Sequence, residues 1–181
     1  MTEPPSPTVG ADDLTVVGSD EQTAVDVDVE RWCRLAHAVL DDDGRRGEIT
    51  LTFVERAEIA ALNVEHLGGE GPTDVLSFPL DAQLAPHDVA PQGVPVLLGD
   101  VVICPAVAAQ QAPDHAGTLD DELALLVVHG VLHVLGHDHA DPDEAVQMRH
   151  RELALLARHH WHGPAPAGFG HEHAVAPGAS R

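Results

Sequence analysis

The chain has 181 residues, enough for one domain with a real core, and its 44 % hydrophobic content with no tyrosine makes that core aliphatic. Thirty acidic residues oppose nine basic ones, all arginine, for a formal net charge of −21; strong nonspecific affinity for nucleic acid through a general basic surface is excluded, because so acidic a surface repels phosphates unless arginines gather in one groove. Two cysteines make no disulfide framework, and no apolar run approaches the roughly 20 residues needed to span a bilayer.

Residues 1–13 are proline-rich and acidic, without the charged-then-apolar pattern of a signal peptide, and are expected to be a disordered extension. A single domain is expected over residues 14–161. Leu14–Val17 reads as a short first strand. From about Val25 to Leu40, Val29, Trp32, Cys33, Ala36, Val39 and Leu40 recur at helical spacing, with Asp28 as cap and Asp41-Asp42-Asp43-Gly44 as the end. Glu48–Val54 alternates, Ile49, Leu51 and Phe53 on one face and Thr50 and Thr52 on the other, as a strand with one wet face does.

Glu55–Leu67 reads as a helix and Gly68–Pro72 as a loop. Thr73–Phe78 is the next strand, stopped by Pro79. A loop from about Asp81 to Pro95 carries three prolines. Val96–Cys104 is nearly all apolar, the pattern of a strand covered on both sides. Pro105 opens a helix to about Ala112. Thr118 caps the following helix, with Asp120 and Asp121 at its positive end, and that helix runs to Leu135. Asp141-Pro142-Asp143-Glu144 resembles a capping box with proline in the first turn, and a last helix runs to about His160. Residues 162–181 are Gly, Pro and Ala with scattered His and are expected to be a disordered tail. His159, His160, His162, His171 and His173 are expected at the surface. Cys33 and Cys104 lie in apolar runs and read as buried free thiols. Strands mixed with helices in this order give an α+β fold, a small mixed sheet with helices on its faces.

The chemistry concentrates in one stretch. His129-Gly130-Val131-Leu132-His133-Val134-Leu135-Gly136-His137-Asp138-His139 holds four histidines in eleven residues. His129 and His133 are four apart and share one helix face. Gly136 falls where the helix should end, since glycine enters a left-handed turn without cost. The reversed chain can bring His139 to the same ion, with His137 as the alternative third ligand. Three imidazoles and an open position make a catalytic zinc site, although imidazole also suits copper, iron and nickel. The spacing H-x3-H-x2-G-x2-H is that of the metzincin proteases, but Gly130 stands where those enzymes carry their glutamate base. Glu122, seven residues before His129, is about 10 Å away along a helix, too far for the same ion. It reads either as a catalytic carboxylate or, at least as readily, as a partner for a buried backbone or histidine group. Asp138 can orient a ligand histidine or cap the turn. No side chain is assigned a catalytic role.

The block from His129 to His139, with Pro72-Thr73-Asp74-Val75-Leu76-Ser77-Phe78-Pro79, Leu98-Gly99-Asp100-Val101-Val102-Ile103 and Glu122, resembles the YbeY family of bacterial endoribonucleases. The resemblance runs from about Glu48 to His160. It implies a small mixed sheet whose central helix carries one zinc ion on His129, His133 and His139, and it favours His139 over His137. It also implies cleavage of single-stranded RNA in ribosomal RNA maturation at the small-subunit 3′ end, a part in ribosome quality control, and a cytoplasmic location. Ribosomal RNA is the implied partner, with ribosomal proteins or assembly factors alongside it and no membrane. The chain departs from the pattern at Leu67, where many relatives have an arginine thought to serve RNA cleavage; Arg31, Arg34, Arg45 and Arg46 are the other early arginines. The alternative reading is a ribosome-assembly factor whose zinc is mainly structural.

Overall fold

The computed structural model describes residues 8–11, 14–80, 96–137 and 140–171. The proline-containing loop 81–95, Asp138, His139 and His173 lie outside them. Five strands form one mixed sheet in the order β1-β2-β3-β5-β4. These are β1 (Thr8–Ala11), β2 (Leu14–Asp20), β3 (Gly47–Phe53), β4 (Val75–Pro79) and β5 (Leu97–Ile103). The inner strands β2, β3 and β5 run parallel, and β1 and β4 are antiparallel edges. The helices are α1 (Val29–Asp42), α2 (Arg56–Leu67), α3 (Pro105–Gln111), α4 (Leu119–Val134) and α5 (Pro142–His159), with a 3-10 turn at Ala112–Asp114.

Alternation along the strands builds two cores. Val16, Ile49, Leu51, Phe53, Val101 and Ile103 meet α1 and α4 on one face. Val102, Leu76 and Val54 meet Ile59 of α2 on the other. This is the α+β arrangement that the element order predicts, with helices on both faces. α4 is its hub: every residue from Asp121 to Leu132 is buried, as expected of a helix apolar on all sides. It packs on β4 and β5 beneath and on α1, α3 and α5 around its flanks.

The caps follow the sequence signals. Asp28 accepts from the Arg31 amide at 3.0 Å, so α1 starts at Val29 rather than near Val25. Thr118 accepts from the Asp121 amide at 3.1 Å and opens α4. Asp141 accepts from the Asp143 amide at 2.8 Å with Pro142 in the first turn of α5. Both cysteines are buried free thiols, and burial pushes Cys33 up to about 11.

Two expected boundaries need correction. The extension 1–13 is not wholly disordered, because Thr8–Ala11 pairs along β2. The prolines end at Pro7; Thr8 and Val9 suit a strand, and β2 has an edge to pair with. The tail 162–181 is likewise folded as far as His171. Phe169 stands edge-on to Trp161 with ring centroids 4.7 Å apart, and the Gly170 amide donates to the His115 carbonyl at 2.8 Å. The Gly-Pro-Ala composition hid these two anchors. No helix among the described residues is long and apolar enough to cross a membrane.

Candidate metal centre

α4 delivers the first two predicted ligands. The His129 and His133 rings meet edge-on with centroids 4.5 Å apart, the neighbour relation that a spacing of four imposes. His129 is buried and His133 half-buried. The helix then ends in a Schellman turn: the Gly136 amide donates to the His133 carbonyl and the His137 amide to the Leu132 carbonyl, both at 3.0 Å. Gly136 has φ 92°, the left-handed value expected of it. This turn reverses the chain three residues before His139, which lies outside the described residues, as does Asp138. Among the described residues no group of three metal-ligating side chains comes together.

His137, the alternative ligand, is exposed and lies 3.8 Å from Asp43 at the end of α1. Asp43 also takes Arg45 at 3.6 Å and Arg151 at 3.4 Å. Two guanidinium groups therefore share one carboxylate beside the turn that leads to His139. Arg31 pairs with Asp120, Arg34 with Glu30 and Arg46 with Asp41. Leu67 is 65 % exposed at the end of α2, next to His66, whose ring stands edge-on to Phe78 at 5.1 Å.

α5 supplies a residue that the sequence did not single out. Glu152 is 1 % exposed and accepts from His129 Nδ1 at 2.6 Å and from His171 Nε2 at 2.6 Å. Burial pushes its carboxyl up, but the two imidazole hydrogen bonds and their charge outweigh this and hold it at about 2. An ionised carboxylate only accepts, so His129 carries its proton on Nδ1 and turns Nε2 to the other side. That is the pattern of a metal-ligating histidine oriented by an outer carboxylate. The signal for Glu152 in the sequence is its place in a helix capped at Asp141; nothing local marks it as charged and buried.

Gly130 explains itself by contact. A Cβ there would stand 2.6 Å from Val101 Cγ1 and 3.3 Å from Ser77 Oγ. The Gly130 carbonyl accepts from Ser77 Oγ at 3.0 Å. The position after the first histidine thus faces the sheet at closest approach, with no room for a carboxylate base.

Glu122 is fully buried, one helical stretch away from the pair. It accepts from Gln111 at 2.8 Å, from His115 Nδ1 at 2.8 Å and from the Ala116 amide at 3.2 Å. Gln111 also donates to Asp74 at 2.6 Å, and Asp74 accepts from the Val75 amide at 2.8 Å. Glu122 therefore ties α4 to α3 and to the start of β4, as the partner for backbone and histidine that was one of its two readings. The expected surface histidines are corrected as well. His160 is largely buried, with Nε2 2.9 Å from Asp121, and His171 is 13 % exposed on Glu152, because buried carboxylates draw both inward.

The chain is similar to several known proteins. The family model described as Endoribonuclease YbeY matches residues 18–160. The Endoribonuclease YbeY of Salinispora tropica is 42 % identical over 142 residues, which cover 75 % of this chain and 90 % of that protein. That of Thermobifida fusca is 44 % identical over 138 residues, covering 75 % and 88 %. A Thermotoga maritima protein solved in solution shares the fold with a TM-score of 0.51 at 21 % identity, covering 81 % of this chain and 91 % of that one.

Proposed function

The chain belongs to the YbeY family, and from that premise we propose that it is a zinc-dependent endoribonuclease specific for single-stranded RNA. Its work is maturation of ribosomal RNA at the small-subunit 3′ end and ribosome quality control in the cytoplasm, with ribosomal proteins or assembly factors as further partners. One zinc ion would be held by His129, His133 and His139. The observation that carries the reading is the paired His129 and His133, with Glu152 fixing the proton of His129 on Nδ1. That proton placement reserves Nε2 for a metal, and three neutral imidazoles leave the ion its full charge. When bound, zinc supplies a water nucleophile near neutral pH and a Lewis acid for a phosphoryl oxygen.

The chain's own groups do the rest. Glu152 orients His129 and keeps it in the ligating tautomer. Gly130 removes the carboxylate base that a protease would use, which weighs against amide hydrolysis. Arg45 and Arg151, gathered on Asp43, offer positive charge to a phosphate backbone that the chain as a whole repels. Leu67 offers none, being an exposed aliphatic side chain. That residue and the net charge of −21 favour the second reading, an assembly factor with a mainly structural zinc.

The test compares the purified protein with His133→Ala on single-stranded RNA and on an unstructured peptide, with and without chelator. The proposal expects RNA cleavage by the wild type alone, lost on chelation, and an intact peptide. Cut peptide would reinstate a peptidase. Intact RNA with zinc restored, alongside retained binding to a ribosomal partner, would leave the assembly factor.

A further inference from the structure

The chain leaves α5 at Trp161 and His162, the latter at φ 54°, the one non-glycine at positive φ among the described residues. It then runs back along α4. The Trp161 indole donates to Asp121 at 2.7 Å at the start of that helix. Phe169 packs on Trp161, and the Gly170 amide donates to the His115 carbonyl. At the far end His171 donates to Glu152, whose other oxygen holds His129. A Cβ on Gly170 would stand 2.6 Å from the His115 oxygen, so the segment lies flat on the domain.

We infer that the segment 161–171 belongs to the metal centre, with His171 as a positioning residue that acts on His129 through Glu152. The inference rests on the metal reading proposed above. Glu152 has two oxygens and two imidazole donors, one on α4 and one on the returning segment. A metal on His129 Nε2 fixes the Nδ1 proton, which fixes one oxygen of Glu152 and presents the other to His171. Conversely, His171 holds the carboxylate in the rotamer that meets His129. Metal binding and docking of the segment therefore strengthen each other, and linkage makes the two effects equal in size.

The experiment uses the full chain and zinc alone, in two readouts that need no activity. Zinc affinity is measured against a competing chelator, and amide hydrogen exchange of 161–171 is measured with zinc and without. Removing an outer partner of a ligand histidine costs 10–100-fold in metal affinity. Glu152→Gln should fall in that span and His171→Ala at its lower end, roughly tenfold. Gly170→Ala, which lifts the segment without touching either imidazole, should weaken zinc in the same direction. Exchange of 161–171 should slow on zinc addition in the wild type and respond little in His171→Ala. Unchanged exchange in β3 and β5 would show that the fold has held; if His171→Ala unfolds, Gly170→Ala decides. Wild-type zinc affinity in both variants, or exchange of 161–171 indifferent to zinc, would overturn the inference while leaving the metal site standing. A wild type that holds no equivalent of zinc would overturn both.

Discussion

Gly130 is the residue whose role the sequence stated only by omission. A glutamate is missing there, and the structure supplies the reason: Val101 and Ser77 lie where its Cβ would go. Alanine gains up to about 1 kcal/mol of helix propensity over glycine. Overpacking a filled core costs about 1–3 kcal/mol, and the branched Val101 side chain cannot swing clear. Gly130→Ala should therefore be destabilised in thermal unfolding, and Val101→Ala on top of it should recover part of the loss. A rise in melting temperature for the single variant would contradict the packing argument. Leu67 is the opposite case, exposed and tolerant. If it marks a lost phosphate contact, Leu67→Arg should raise the rate of RNA cleavage. A charge-assisted hydrogen bond is worth about 1.5–3 kcal/mol, and each 1.4 kcal/mol in the transition state is roughly tenfold. An unchanged rate would mean that the position does not reach the scissile phosphate.

At the scale of elements, α4 was legible from end to end. Thr118 marks its start, apolar residues surround it, and Gly136 marks its stop. Four strands were legible, β3 through alternation and β5 through its apolar run, and their ends moved by one to a few residues; β1 was missed, since Thr8–Ala11 lies in the expected extension. What escaped was contact between elements distant in sequence. Glu152 and His171 look like any helical glutamate and any tail histidine until α5 turns one toward α4 and the returning segment brings the other. The same holds for Asp121, which reads as a helix-start acid but also takes His160 and Trp161. Burial raises the Asp121 carboxyl, and hydrogen bonds from Trp161, Thr118 and His160 together bring it below the ordinary value. A lowered folded value stabilises above the unfolded pKa of about 3.9 and is lost as pH falls through the folded one. Asp121→Asn should be less stable than wild type at pH 7, and the gap in urea unfolding should narrow below about pH 4. A gap that stays constant through that range would remove Asp121 from the acid response.

For the molecule as a whole, charge is the feature that weighs most against the proposed substrate. The described arginines near α1 are spent on neighbouring acids, and exposed pairs of this kind add little stability. Arg45 and Arg151 share one carboxylate, that of Asp43. RNA binding should thus have a shallow salt dependence, with a slope set by few phosphate contacts at about 0.7 per contact for single strands. A steep slope would require an arginine surface that the fold does not assemble among its described residues. The fold class could be read from the order of strands and helices, and the pairing of His129 with His133 from their spacing, because helix geometry is local. The outer carboxylate and the returning segment could not, because they depend on how helices pack.

One zinc on His129, His133 and His139 is proposed to drive RNA cleavage. Metal-free protein titrated with zinc tests it most directly, with bound metal and single-stranded RNA cleavage followed in the same samples. Cleavage should rise in step with bound zinc and saturate at one tightly held equivalent. The His129→Ala, His133→Ala double variant should show neither. Full cleavage by the metal-free protein, or a full tight equivalent retained by the double variant, would contradict it.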